Sequence, residues 1–170
     1  MSLFSKDMRT IDDLFLYHLG GMYYAEQQIL DALPRMIAKT ASPELKSAFE
    51  RHVEETRNHV LRIERVFDMY DAQPKAVSSA AINGIIKEAN EIAEEISERE
   101  VLDAALIGAA QTVEHFEIAH YGTLIAWLRQ LGRDGCASVL EMNLQEEKAA
   151  DQQLTELAES KINAGAVFSA

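Results

Sequence analysis

Three pairs of residues stand at spacings that put two metal-binding heads on one face of a helix. Glu55 and His59 are four positions apart, as are Glu147 and Asp151, and Glu114 and Glu117 are three apart. Side chains at these separations are neighbours on a helix surface, so both heads of a pair can reach one point. Any one pair is common on a charged helix. Their conjunction, with Glu26 as a further member, makes a carboxylate and imidazole set of the kind that binds iron or manganese, admits zinc, and does not suit soft thiolate metals. Glu26, Glu55, His59, Glu114, Glu117, Glu147 and Asp151 are enough ligands for two metal ions sharing bridging carboxylates.

Such a set works only if helices aim it inward. Glycine and proline are scarce, and the segments between them carry a 3.6-residue apolar period rather than strand alternation. The pattern predicts a first helix after Thr10 to about Lys39, with Pro34 kinking it. Ser42-Pro43-Glu44 opens a second helix to about Asp71. A smaller amphipathic helix spans roughly Ser79 to Ile96 and reads as a crossover. Ser97-Glu98-Arg99-Glu100 has the form of a capping box and starts a helix to about Leu131, and a last helix runs from the Gly132–Gly135 turn to about Asn163. The expectation is all-α: two long hairpins joined by a long connection, the topology of a ferritin-like four-helix bundle with an extra short helix in the crossover.

Projected at about 100° per residue, each long helix sets acids into its apolar stripe. Glu26 lies near the centre of the first stripe, with Tyr23 close by. On the second helix His52 and His59 lie within or beside the stripe and Glu55 at its edge, while Glu54 faces solvent. On the fourth, Glu117 and His120 fall inside and Glu114 on the flank, with His115 pointing away; on the fifth, Glu147 and Asp151 are near the centre and Glu146 well off it. Ionised carboxylates in a core need a balancing cation, and the inner faces offer no matching lysines or arginines. His52 and His120 read as core or supporting histidines behind the ligands. Tyr23 reads as a core aromatic with a satisfied hydroxyl, the other roles open to it being a hydrogen bond to the ligands or a radical site.

The 170 residues hold 28 acids against 16 Lys and Arg, a net charge of −12, and no basic stripe that would neutralise phosphates, which argues against a nucleic-acid partner. No apolar run is long enough to span a bilayer, and the start lacks a secretory pattern, so the expectation is a cytoplasmic protein. The length suits one domain over residues 1–170, with 1–9 and 164–170 as loosely ordered tails. Cys136 is the only cysteine, which excludes an internal disulfide and any Cys-x-x-Cys module.

The stretches Thr10-Ile11-Asp12-Asp13-Leu14-Phe15, Tyr24-Ala25-Glu26-Gln27-Gln28, His52-Val53-Glu54-Glu55-Thr56, the run Asp103 to Gln111, the run Val113 to Thr123 and Glu146-Glu147-Lys148-Ala149-Ala150-Asp151 resemble the YciE/YciF family of bacterial ferritin-like proteins over nearly the whole chain. The resemblance implies a ferritin-like bundle, a homodimer and a link to stress, with no settled biochemical activity. The fold is also similar to rubrerythrin, whose third bundle helix carries a Glu-x-x-Glu like Glu114 to Glu117, followed later by a glutamate like Glu147. There are departures: the second helix has Arg57 at one third position of the Glu-x-x-His pattern and offers His59, and the fifth offers Asp151 where rubrerythrin-like proteins use histidine.

Two functions remain in view. One is a dinuclear metal protein, with iron as the first choice, that handles peroxide or dioxygen or oxidises ferrous ion; with no Cys-x-x-Cys module, it needs an external electron donor. The other is a non-catalytic structural or interaction protein of the stress response that keeps a non-redox ion or a protonated acidic core.

Overall fold

The computed structural model describes residues 8–168. Helices α1 (Ile11–Lys39) and α2 (Pro43–Met69) form one hairpin; α4 (Arg99–Gln130) and α5 (Asp134–Leu157) form the other. Residues 72–79 run without regular structure into α3 (Ala80–Glu95), the crossover helix. The four long helices close a ring in which α1 touches α2 and α4, and α5 touches α2 and α4, while α3 lies outside on α4 and α1. Among the described residues there is no strand. The structure is therefore the ferritin-like helical bundle, with the extra helix in its crossover.

The helix ends follow from local chemistry. Thr10 and Asp13 make a reciprocal capping box at α1, Asp13 N–H donating to Thr10 Oγ1 at 3.0 Å and Thr10 N–H to Asp13 Oδ2 at 3.1 Å. Ser42 Oγ accepts from Leu45 N–H at 3.3 Å, and Pro43 takes the first helical position of α2. The α1–α2 turn is also held from across the bundle, because buried Asp103 of α4 accepts from Ala41 N–H at 2.9 Å and Ser42 N–H at 2.7 Å. Gly132 ends α4 at φ +68°, and Arg133 N–H reaches back to the Leu128 carbonyl at 2.8 Å, as a left-handed C-terminal cap requires. Gly20 is where the crossover chain passes closest: Val77 N–H donates to its carbonyl at 2.9 Å, and a Cβ there would lie 2.6 Å from the Lys75 carbonyl oxygen.

Some expectations at the ends do not hold. The Ser97 capping box does not form, since Glu98 is the residue before α4 and makes no side-chain cap bond. Nor is Ala164 the start of a frayed tail within the described residues. The chain passes through a π-helical turn, Ala158–Ile162, into α6, Asn163–Phe168, which lies along α4. The wider turn lets Ala158 and Ile162 both bury in the core.

That core is in two parts. One centres on Phe15, Leu19, Phe67, Leu124, Leu128 and Leu140; the other, at the opposite end of the bundle, on Ile29, Leu33, Phe49, Ile82, Leu106 and Leu154. Ile107 and Ile125 of α4 are buried in these clusters, and Ile118 packs against the first. The reason is that α4 meets other helices on more than one side, α1 and α5 within the ring and α3 outside it, so it has no single solvent face.

Candidate metal centre

Between the two apolar clusters lies a layer of buried ionisable groups: Glu26 from α1, His52 and His59 from α2, Glu114 and Glu117 from α4, and Glu147 from α5. They form two overlapping groups. In one, ligand atoms of His52, Glu114, Glu117 and Glu147 all lie within 4.8 Å of each other; in the other, those of Glu26, His59 and Glu147 do. Glu147 belongs to both.

The distances show groups converging on a common space rather than pairing off. His59 Nδ1 lies 2.8 Å from Glu147 Oε1 and 3.4 Å from Glu26 Oε1, yet it is not aligned with either as a hydrogen-bond donor. His52 Nε2 stands 3.5 Å from Glu114 Oε1 and 3.9 Å from Glu147 Oε2. Glu26 Oε2, Glu114 Oε2 and both carboxylate oxygens of Glu117 and of Glu147 are buried without a hydrogen-bond partner. Buried polar atoms are normally satisfied, so this many orphans facing one another mark a site for something else. Hard oxygen donors with two imidazoles suit divalent or trivalent cations, and the residues fit such a group.

The electrostatics of the protein without metal say the same. Burial, together with the Glu147 and Glu26 charges, holds Glu117 well above the usual carboxylate range. Burial also lifts Glu114 to about 9, with Glu147 adding to the effect, and raises Glu147. Burial disfavours a charged His59, but the Glu26 charge and the Glu147 contact outweigh it and raise the imidazole to about 11. His52 is raised in the same way, burial being overcome chiefly by Glu114.

A supporting ring surrounds the layer. Glu146 Oε2 lies 2.8 Å from His59 Nε2, and Arg62 donates to Glu146 Oε1 at 3.0 Å. This fixes the outward nitrogen of His59 and aims Nδ1 at the centre. Burial acts against the Glu146 charge, but the bonds from Arg62 and His59 hold its carboxyl below the usual range. The fully buried Tyr121 hydroxyl donates to Glu26 Oε1 and accepts from Asn143 Nδ2 at 2.9 Å.

Of the candidates from sequence, Glu26, His59, Glu114, Glu117 and Glu147 come together. Glu55 and Asp151 do not. Glu55 is 32% exposed, and its nearest histidine contact is His52 Nδ1 at 3.5 Å, on the side away from the layer's acids. Asp151 is 23% exposed and is taken by Gln111 Nε2 at 3.1 Å and by His115 Nε2 at 3.3 Å. His52 is a member of the cluster rather than a residue behind it. His120 is outside it, with Nδ1 2.7 Å from the Phe116 carbonyl and its ring beside Phe116 and His18. Tyr23 turns away from Glu26 and donates to Glu64 at 2.7 Å. Glu146, placed off the stripe, does reach the site through His59. Tyr121 and Asn143 are the residues sequence reasoning misses, although a signal exists: each is one helical turn from a ligand, four positions after Glu117 and four before Glu147.

Comparison with known proteins places this chain in a group. The chain is 43% identical to protein YciF of Escherichia coli K12 over 158 residues, 92% of this chain and 95% of that one. The crystal structure of that E. coli stress protein superposes with a TM-score of 0.87, covering 92% of this chain and 99% of the other. YcfI of Rhodopseudomonas palustris, provisionally described as structural, superposes at 0.88 with 48% identity over 90% of this chain and 98% of that one. A Xanthomonas campestris protein shares the fold at a TM-score of 0.74, with 22% identity over 92% and 96% of the two chains. Residues 10–167 match the family described as a domain of unknown function, DUF892, and the chain therefore belongs to the YciE/YciF family that this description covers.

Proposed function

We propose that this chain is a stress-associated protein whose bundle holds two metal ions, iron before manganese or zinc, and that it handles peroxide or dioxygen or oxidises ferrous ion. The observation that carries the reading is the set of buried carboxylate oxygens without protein partners. Glu26, His52, His59, Glu114, Glu117 and Glu147 would hold the pair, with Glu147 shared. The ions would supply Lewis acidity and one-electron exchange.

The chain's own part is to hold and orient. Tyr121 fixes Glu26 Oε1, which faces His59, and the other oxygen is left buried without a partner. Glu146 fixes the ring of His59. The apolar clusters at either end limit water, so charges in the layer act at low dielectric. With one cysteine in the sequence, a reductant would come from a separate protein or small molecule. A homodimer completes the proposal, and sedimentation of the purified protein tests it.

The direct experiment is elemental analysis and an optical spectrum of protein purified without chelators, followed by peroxide and ferrous-ion challenge. About two irons per chain, with absorption that changes on peroxide and returns on reduction, is the expected result. A second reading, a structural protein with a protonated acidic layer, draws on the description of YcfI and on the burial that favours neutral Glu114 and Glu117. Absence of transition metal and indifference to peroxide would decide for it.

A further inference from the structure

Beneath the crossover helix a cavity of about 330 Å³ opens between α1, α3 and α4 and reaches the metal layer. Its walls are apolar, with Leu33, Phe49, Ile86, Leu106 and Val113 among them, and its floor includes His52 and Glu114. Its lining also takes in Arg35 and Lys39 from α1 and Asn90 and Glu94 from α3. The volume is within the range of small-molecule sites, upward of about 300 Å³, and a mostly apolar wall with a few polar groups is how such sites are built.

The charges are unevenly placed. Arg35 is exposed and has no ion-pair partner among the described residues. Lys39 is also exposed and reaches across from α1 to α3, its Nζ 3.4 Å from the Ala93 carbonyl. Glu94 opposes them, leaving an excess of one positive charge among the outer groups. At the floor His52 Nε2 already faces Glu114 Oε1 at 3.5 Å, so the chain offers an anion no unpartnered cation there. An anionic head is drawn to the two outer cations, while an apolar tail gains by covering the walls.

We propose that this cavity binds an amphipathic monocarboxylate of the fatty-acid type, with its head at Arg35 and Lys39 and its tail directed toward His52 and Glu114. The proposal rests on the metal-centre reading only for what the tail meets at the floor; binding itself needs no metal. It gives the centre a class of organic molecule that can approach it through the bundle wall.

The test is calorimetric titration of decanoate into the full-length protein, metal-free and metal-loaded in parallel, with decanol as the uncharged comparison. The expected result is saturable binding of one decanoate per chain in both forms. Arg35→Glu, at an exposed position, should weaken decanoate roughly tenfold or more and leave decanol unchanged. Ala89→Phe, which fills the half-buried α3 wall, should abolish both. No saturable decanoate binding, or binding that Arg35→Glu leaves unaltered, overturns the proposal. Metal uptake without decanoate binding overturns the pocket and spares the centre; decanoate binding by a chain that takes up no metal does the reverse.

Discussion

Glu147 is the residue on which both ligand groups depend, and Glu146 beside it acts through His59. Glu147→Gln should therefore lower metal content at both positions, whereas Glu146→Ala should keep the fold and weaken affinity by about 10–100-fold, the usual effect of removing a partner of a ligating histidine. Glu54→Ala, on the exposed side of α2, should change nothing; equal metal content in all three proteins would mean that α5 is not in the ligand-bearing register. The site was partly legible in sequence, and the errors have a geometric cause. On α2 the line facing the layer runs through His52, Thr56 and His59, and Glu55 is turned about 60° from His52, which is enough to send it to the edge. Asp151 is one turn beyond Glu147, where Gln111 and His115 of α4 bind it first. No single-helix projection contains those cross-helix partners. The protonation states give a second test. Without metal, Glu114 keeps its proton to about pH 9, whereas the unfolded chain releases it near 4.5. Over that interval the native state binds more protons than the unfolded one, so stability falls as pH rises. His59, moved from 6.5 to about 11, acts with the same sign above its unfolded value; Glu146, lowered, acts oppositely but only in acid. Melting of chelator-treated protein should thus drop by several degrees between about pH 5.5 and 8.5. Metal loading should release protons and flatten that profile, and a flat profile without metal would show that the acids are ionised and paired.

At the scale of the elements, the second hairpin caps the first. Asp103 lies within α4, yet its carboxylate satisfies the two amides that open α2. Asp103→Ala leaves both N–H groups without that partner and should cost about 1–3 kcal/mol, read as a lower midpoint in urea with an unchanged slope. A midpoint within error of the parent would mean that water replaces the carboxylate at no cost. Four long helices and a crossover follow from periodicity and punctuation, because Thr10, Ser42-Pro43 and Gly132 each carry a local reason for the chain to start or stop. What the pattern conceals is where tertiary contact overrides local preference. Helix α4 is apolar on several sides, so its stripe cannot be read as one face, and Ile107 and Ile125 are buried because other helices pack around it. The helical continuation past Ala158 is equally hidden, since Asn163 to Phe168 hold few strong helix formers and rest on packing along α4.

For the whole molecule, the arrangement of the core has a consequence for how the protein comes apart. The apolar interior is two bodies, one holding Phe15, Phe67 and Leu140, the other Leu33, Phe49 and Leu106, and the layer of buried acids and histidines is the seam between them. Across that seam the chain offers carboxylates and imidazoles whose mutual repulsion and desolvation oppose contact unless protons or cations intervene. Loaded, the seam is a rivet and the bundle should unfold as one unit, with its most protected amides at both ends exchanging at a common rate. Stripped at alkaline pH, the two halves should decouple into separately opening units. Hydrogen exchange would then divide into two tiers, with the division falling along each long helix near Glu26, His59, Glu117 and Glu147 rather than between helices. The layer would in that way set the size of the cooperative unit, and emptying it of cations would turn one folding domain into two.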